Sequence, residues 1–426
     1  MIPDSEYYLS AANPVANLDQ RRMEDTALRI VARPELERPR MVARYLWNEV
    51  MEHEAGAQLG QLDAMLDEYV FHHALRAVAS DGDHPGIVRF MTPPHHWFGR
   101  DVPGSRWAGD SPDFTYRIIP VSHGARYRIT AAPANAAPPP TAHFALMGDN
   151  TAAPTILGLL DSLDLERAGD GSFVITVDAE PAGGRRNHIQ THPGALQIWV
   201  RDALGDWLAQ APHRLRVERL DPPAQAAPDD AALARWTAKS LLDGVYYAYY
   251  IIRGTTTLPP NQVTRPVSSA ALGGMASQYG VKANVKLAPD EALVLTASDA
   301  GALFRNAVMQ DVYMRSLNYW DRTGSLNHAT MAPDETGMFT YVIAHQDPGV
   351  HNWLDTGGLE HTIFGQRWQS FPGGAAREEP VITGRLVKLD DLEKALPPGV
   401  RRIDAVGRHD QLVARRGGFD RRFVES

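Results

Sequence analysis

The sequence predicts a mainly β protein with added helices (α+β), built from two jelly-roll-like antiparallel β-sandwich modules, a helical N-terminal region and a connecting helix. Three observations predict this fold class. Apolar residues recur at helical spacing up to about residue 80, the period changes to two from about residue 105, and a second block of period-two segments follows a helix that starts near residue 230. A chain of 426 residues also exceeds the ~250–300 residues at which single cores stop growing.

The pattern divides the chain into four parts. We expect residues 1–104 to form a helical N-terminal region, residues 105–222 a first β-sandwich, residues 223–284 a linker helix with an extended segment, and residues 285–426 a second β-sandwich with C-terminal helices. Strands separated by Gly, Asp and Pro at this spacing are typical of antiparallel sandwiches.

Individual elements follow from local patterns. Helical spacing predicts helices over 35–54 and 59–78, and Asp229 or Asp230 can cap the connecting helix. The predicted strands of the first sandwich are 116–120, 125–130, 172–177, 195–200 and 214–220. Those of the second are 292–297, 308–313, 337–344, 365–369 and 381–387.

Composition excludes several classes of function. The chain has no cysteine, which excludes thiol nucleophiles, disulfides and thiolate zinc sites. A net charge of −9, with no basic stripe, indicates no nucleic-acid partner. No apolar run approaches the ~18 residues of a membrane span, so no membrane partner is expected. Without a signal-peptide pattern at its start, the protein is predicted to be cytoplasmic.

The best candidate site is the stretch from His345 to Asp355. A turn at Asp347-Pro348-Gly349 cannot continue a strand, so it can fold the chain back and bring His345, Asp347, His351 and Asp355 together. An Asp that orients a His would serve acid–base catalysis, whereas two His and a carboxylate would suit one divalent metal ion. In the structural alternative, Asp347 caps the turn and Trp353 packs in the core.

Six further residues are predicted to bind substrate. Arg315 and Arg367 are candidates to pair an anionic group, and alternation along a strand would put Tyr313 and Arg315 on one face. Tyr246 and Tyr250 are four residues apart, as on one helix face, and with Trp353 they could form aromatic walls. Packing between the modules is the alternative for the tyrosines.

Two stretches resemble a family of mostly bacterial proteins known as domain of unknown function 1214, often found with the related family 1254. They are 109–116, read as GDSPDFTY, with 125–129, and above all the run HQDPGVHNWLDTGG at 345–358 with TIFGQRW at 362–368. The likeness covers roughly residues 105–220 and 290–420. The resemblance implies a jelly-roll-like β-sandwich, and it implies no activity.

The expected function is an enzyme that acts on a small, fairly apolar organic molecule by acid–base chemistry, as a hydrolase, lyase or isomerase. The sequence contains no phosphate loop, dinucleotide fingerprint or Gly-x-Ser-x-Gly motif, so no organic cofactor is expected. Two alternatives stay open: a non-catalytic binder of a carbohydrate- or lipid-like ligand, and a metal-dependent enzyme that uses the same loop. The expected partner is a small-molecule substrate, with homo-oligomerisation plausible.

Overall fold

Helices form the first layer of the chain. The computed structural model describes residues 2–148, 155–269, 275, 277–374 and 376–425. Its N-terminal helices are α1 (Asp4–Tyr7), α2 (Leu18–Val31), α3 (Glu37–Met51) and α4 (Leu62–Val78). The Asn17 side chain caps α2 by accepting from the Gln20 amide at 2.9 Å, as an Asn before a helix favours. Helices α3 and α4 match the predicted segments 35–54 and 59–78.

Two packed sheets form the first sandwich. Its strands and a preceding hairpin are β1 (Val88–Phe90), β2 (His95–Trp97), β3 (Arg100–Val102), β4 (Phe114–Pro120), β5 (Tyr127–Ala132), β6 (Thr141–Gly148), β7 (Ile156–Asp161), β8 (Phe173–Asp178), β9 (His188–Gln190), β10 (Ala195–Ala203) and β11 (Arg214–Arg219). A five-stranded sheet has the order β1-β4-β10-β6-β7 and a four-stranded sheet the order β11-β5-β8-β9. Strand β1 therefore joins this sandwich from within the predicted helical region.

A 27-residue helix, α5 (Asp230–Thr256), connects the sandwiches. Asp229 is its cap, because the carboxylate accepts from the Ala232 amide at 2.7 Å. The helix continues through all the tyrosines between Tyr246 and Tyr250, so these side chains radiate around one helix.

The second sandwich repeats the sheet orders of the first. Its strands are β12 (Val267–Ser268), β13 (Gln278–Lys286), β14 (Glu291–Ala297), β15 (Phe304–Gln310), β16 (Ser325–Asn327), β17 (Phe339–Ala344), β18 (Trp353–Asp355), β19 (His361–Gln369) and β20 (Ile382–Lys388). The sheets have the orders β12-β13-β19-β15-β16 and β18-β17-β14-β20. Strand β12 lies before the predicted start of this module at residue 285, and β13 begins before it.

Taken in chain order, β4 to β11 correspond one by one to β13 to β20. Even the parallel pair recurs, since β8 pairs with β9 and β17 with β18 in parallel. The sequence shows no internal repeat strong enough to indicate this correspondence. The predicted fold class, mainly β with added helices, is confirmed.

The two five-stranded sheets face each other, and their outer faces share a core with the helices. Phe114 on the first sheet and Phe304 on the second have ring centroids 5.1 Å apart. The same cluster includes Trp199 and Ile363, one from each sheet, with Val245 of α5. Each sandwich also has its own interior cluster between its two sheets. This layer between the sandwiches is where the candidate site lies.

The chain ends in two helices, α6 (Leu392–Ala395) and α7 (Ala405–Asp420). Asp404 caps α7 by accepting from the Gly407 amide at 2.8 Å. In the part of the chain that the structure describes, no helix combines the length and apolarity that a membrane crossing requires.

Candidate functional site

His345, the first residue of the predicted catalytic loop, follows β17. Its Nδ1 lies 2.7 Å from Thr356 Oγ1, and its Nε2 lies 3.1 Å from the Leu287 carbonyl oxygen. A carbonyl oxygen can only accept, so Nε2 carries a proton and donates to it. With both ring nitrogens engaged, the imidazole fastens this loop to the β13–β14 connection.

Asp347 and His351 also have partners outside the predicted constellation. Asp347 accepts from Arg408 Nε at 2.8 Å and from Nη2 at 3.1 Å, and it closes its own turn through the Gly349 amide. His351 Nδ1 lies 3.2 Å from Asn352 Oδ1, and burial lowers the pKa of this imidazole. The Asp347–Arg408 pair attaches α7 to the second sandwich.

Asp355 is buried and pairs with Arg322 at 2.9 Å, while its other oxygen accepts from the Gly357 amide at 2.7 Å. No hydrogen bond joins any two of His345, Asp347, His351 and Asp355. Among the described residues, no three His, Cys, Asp or Glu side chains are placed to share a metal ion. The loop therefore has the contacts of the structural alternative.

Tyr313 and Arg315 do not lie on a strand, so that prediction is wrong. Strand β15 ends at Gln310, because Asp311 accepts from the backbone amides of both Tyr313 and Arg315 at 3.0 Å and closes a turn. The Arg315 guanidinium donates to Asp311 at 2.8 Å and to Glu68 at 3.0 Å. Its charge is thus matched by two buried carboxylates, and the Tyr313 hydroxyl donates to the Gln58 carbonyl.

Of the three side chains predicted to form aromatic walls, one lies in the core and two lie on the surface. Trp353 is buried, its Nε1 donates to the Ala344 carbonyl at 3.0 Å, and the Arg408 guanidinium covers its ring. Tyr246 and Tyr250 lie on the solvent face of α5 and are 59% and 75% exposed. Neither of these tyrosines packs between the modules.

Arg367, the remaining predicted anion-binding residue, lies on β19 as expected and lines a cavity of about 370 Å³ between the two five-stranded sheets. Helix α5 and the loop before β4 complete the walls. The described residues that line it are Met91, Trp107, Ala108, Gly109, Asp110, Phe114, Tyr116, Met147, Ile156, Trp199, Arg201, Tyr247, Ile251, Ser269, Met275, Gln278, Lys282 and Arg367.

Three cationic side chains converge on this cavity without a carboxylate partner among the described residues. Arg367 Nη2 donates to the Gly109 carbonyl at 2.6 Å, while its Nη1 is buried without a partner. Arg201 Nη1 faces the Met275 sulfur at 3.0 Å. Burial lowers the pKa of Arg201 and of Lys282, and the nearby charge of Arg367 lowers both further. Uncompensated positive charge is therefore concentrated here.

Arg201 and Arg367 occupy equivalent places in the two sandwiches. Each is the seventh residue of a nine-residue strand, β10 or β19, in the same position of its sheet. Arg201 stands opposite Tyr116 on β4, and Arg367 stands opposite Gly280 on β13. The glycine on the second sheet has no side chain where the first sheet has a tyrosine, which leaves room beside Arg367.

Aromatic rings form much of the remaining wall. Trp107 and Tyr247 have ring centroids 6.3 Å apart, and Tyr247, which directly follows the predicted wall residue Tyr246, lines the cavity. Burial raises the pKa of Tyr116 to about 12, although Arg367 and Arg201 act in the opposite direction. Tyr116 therefore stays neutral at pH 7 and can only offer an O–H group or its ring.

Two connections at the cavity wall, the one after β1 and the one before β4, have unusual backbone geometry. Met91 and Ala108 have φ of 57° and 47°, in the left-handed region that a side chain disfavours by roughly 1–2 kcal/mol. Gly109 follows with φ of 91°, and its carbonyl is the acceptor of Arg367. Strained non-glycine residues concentrate at functional sites, and both of these line the cavity.

The family-like stretch that starts at Gly109 holds the two sandwiches together. Asp110 accepts from the Ser316 amide at 2.9 Å and from its hydroxyl at 2.5 Å. Asp113 accepts from Trp207 of the first sandwich and from Asn306 of the second, at 3.1 and 3.0 Å. This motif fixes the distance between the facing sheets and with it the position of the Gly109 carbonyl.

A second cavity, of about 330 Å³, lies between α7 and the second sandwich. His351 and Arg401 line it, so one residue of the predicted loop does reach a cavity. Its other walls include Leu326, Met331 and Ala414, and its charged lining residues have both signs, namely Asp206, Arg401 and Arg415.

Sequence reasoning missed Arg201 and Lys282. Arg201 comes directly after the predicted strand 195–200 and shares a strand face with Trp199, so alternation could have placed it beside that tryptophan. Lys282 lies on β13, inside the segment predicted as linker. No local signal shows that these strands face each other, because that contact joins residues more than 80 positions apart.

A search of solved structures finds a confident match to an uncharacterised protein from Burkholderia cenocepacia. The TM-score is 0.70 at 23% sequence identity, and the match covers 85% of this chain and 99% of that one. At this identity the match shows the fold alone, a β-rich double sandwich with helical additions.

The VPA0106 protein of Vibrio parahaemolyticus is a more distant match, with a TM-score of 0.41 and 11% identity over 76% of this chain and 99% of that one. No family model matches the sequence, and a search of the curated proteins finds no similar sequence. Membership of the family 1214 or 1254 stays a prediction.

Proposed function

We propose that this protein binds a small organic anion with an apolar, preferably aromatic, body in the cavity between its two five-stranded sheets. One observation carries the proposal: Arg201, Lys282 and Arg367 bring three positive charges to one cavity without a carboxylate partner among the described residues. The one carboxylate among the described lining residues, Asp110, accepts from Ser316 and forms no ion pair or hydrogen bond with the three cations among the described residues.

The physical argument rests on desolvation. A charge held away from water is costly unless it is paired, and natural proteins pair such charges or use them. An anion that enters the cavity supplies the missing partner, and guanidinium groups can bind carboxylate or phosphate in a bidentate manner. Trp107, Trp199 and Tyr247 offer ring faces for the apolar body. A volume of about 370 Å³ suits a small organic molecule.

Acid–base catalysis on the bound molecule is a second candidate function, and Asp110 favours it. Burial raises the pKa of this carboxyl to about 6, against the opposing influence of Arg106 and Ser316. A group that titrates near neutrality at the wall of a ligand cavity is suited to proton transfer. The test is whether bound ligand is converted over time, followed by NMR, and whether Asp110→Asn abolishes conversion while binding persists.

Cytoplasmic location and self-association stay predictions. Tyr246 and Tyr250 are exposed on α5, and Met41 and Tyr45 are 65% and 62% exposed on α3, which packs against α5. Light scattering of the wild type and of Tyr246→Ser/Tyr250→Ser would show whether this surface supports an oligomer.

Binding is tested by calorimetric titration with benzoate, phthalate and phenyl phosphate. We expect saturable binding of at least one of these ligands to the wild type and an affinity at least tenfold lower for Arg367→Met. The matched control is Arg385→Met, which removes an exposed arginine from β20 of the same sandwich. No binding at millimolar ligand, or equal binding by Arg367→Met and the wild type, would contradict the proposal.

A further inference from the structure

We infer that the ligand of the inter-sheet cavity carries two negative charges, held between Arg201 of the first sandwich and Arg367 of the second with Lys282 beside them. The inference rests on the proposed function, since it assumes that an organic anion binds here. The inference specifies the charge of that anion and says that one arginine from each sandwich contacts it.

The charge of the described cavity wall supports two charges rather than one. Three cations line the cavity, and Asp110 is the one carboxylate among the described lining residues. At pH 8 that carboxylate is ionised, so the wall carries a net charge of about +2. A monoanion leaves half of this charge unmatched, whereas a dianion matches it, and unmatched charge in a partly dehydrated site is unfavourable.

Asp110 does not neutralise the cations by direct contact. Both of its oxygens accept from Ser316, and no hydrogen bond or ion pair joins it to Arg201, Lys282 or Arg367 among the described residues. Arg106 and Arg315, the nearby cations outside the cluster, are already paired with Glu68. Among the described residues, Arg201, Lys282 and Arg367 thus differ from Arg106 and Arg315 in having no carboxylate paired with them.

The placement of Arg201 and Arg367 indicates that they contact the ligand from opposite walls of the cavity. Because β10 and β19 are equivalent strands of facing sheets, their seventh residues approach the cavity from opposite walls. Among the described residues, Arg367 Nη1 is buried without a partner, and Arg201 Nη1 has the thioether sulfur of Met275 as its partner. Each guanidinium therefore retains donors for an oxyanion.

Two chemical groups meet this requirement. A phosphate monoester carries about two charges on one group at pH 8, because its second pKa is ~6. A dicarboxylate divides two charges between two groups, one for each arginine. Both are organic dianions, and the experiment separates them.

The experiment compares ligands that share a shape and differ in charge, by calorimetry at pH 8. Phenyl phosphate, a dianion, is compared with phenyl sulfate, a monoanion of the same tetrahedral form, and phthalate is compared with benzoate. We expect the dianion of at least one pair to bind at least tenfold more tightly than its monoanion. The first pair identifies a phosphoryl site and the second a dicarboxylate site.

The variant Arg201→Met completes the test. We expect it to reduce the preference for the dianion to threefold or less, while the control Arg385→Met keeps the preference. If monoanions and dianions bind equally and Arg367→Met weakens both, the inference is overturned and the proposed function stands. If none of the four ligands binds at millimolar concentration, the inference and the proposed function both fail.

Discussion

Arg315 and Arg367 were both predicted from the sequence to bind an anion, and they differ in whether carboxylates of the protein pair with them. Arg315 donates to Asp311 and Glu68, so its charge is matched inside the protein. Arg367 donates to the Gly109 carbonyl, and its buried Nη1 has no partner in the part of the chain that the structure describes. The difference shows that an arginine indicates an anion site only where the neighbouring residues supply no carboxylate to pair with it.

The same contrast separates the 345–355 loop from the inter-sheet cavity. In the loop, Asp347 and Asp355 have arginine partners and both nitrogens of His345 are engaged. Between the sheets, three cations share a cavity, and burial together with the charge of Arg367 lowers the pKa of Arg201 and of Lys282. Paired charges hold elements together, whereas unpaired charges in a cavity are available to a ligand.

The largest expected effect is the loss of stability on replacing Arg315, the arginine that pairs with two carboxylates. Arg315→Met should lower the free energy of unfolding by about 3–5 kcal/mol, because it leaves Asp311 and part of the charge of Glu68 buried without a partner. Urea denaturation measures this against Arg385→Met, for which we expect a change within about 0.5 kcal/mol. A loss below 1 kcal/mol for Arg315→Met would remove the contrast.

Asp110 should give the protein a pH-dependent stability. Its pKa of about 6 lies above the 3.8 of an unperturbed Asp, so the folded state holds the proton more tightly. Its contribution is therefore fully present below pH 4 and is lost as the pH rises through 6, by up to about 3 kcal/mol. The measurement is the unfolding free energy of the wild type minus that of Asp110→Asn, from pH 4 to 7. A difference that stays flat would contradict a raised pKa.

Arg367→Met should leave the free energy of unfolding unchanged or raise it by up to about 2 kcal/mol, in contrast to Arg315→Met. Removing an unpaired, half-buried charge relieves a desolvation cost, and methionine fills a similar volume. Urea denaturation without ligand is the measurement. Destabilisation by more than 2 kcal/mol would show that Arg367 is a structural residue.

The smallest expected effect on binding belongs to the predicted catalytic loop. His345→Ala should cost about 1–2 kcal/mol of stability, since it removes hydrogen bonds to Thr356 and to the Leu287 carbonyl. Its affinity for phthalate or phenyl phosphate should stay within twofold of the wild type by calorimetry. A tenfold loss of affinity would indicate that the ligand binds at the 345–355 loop instead.

Much of the fold could be predicted because its signals are local. Alternation along 195–200 and 365–369 predicts two central strands, and the cap at Asp229 begins the connecting helix. The predicted strand 308–313 failed at its end, because Asp311 turns the chain through contacts that alternation does not encode.

The site was only partly predictable because its members come from different modules. Arg367 was predicted from its strand to be a candidate anion-binding residue. Arg201 and Lys282 can be recognised as candidates only once the two five-stranded sheets are known to face each other. The His345–Asp355 loop drew attention through its unusual composition, and that composition serves turns, capping and the attachment of α7.

A crystal grown with 4-bromophenyl phosphate tests the central claim most directly, because bromine is located by its anomalous scattering. We predict a bromine peak against Trp107, Trp199 and Tyr247, with the phosphate within hydrogen-bond distance of Arg201 or Arg367. A bromine peak at the 345–355 loop or in the cavity beside α7 would contradict the account. So would an empty inter-sheet cavity at a ligand concentration that saturates the protein in solution.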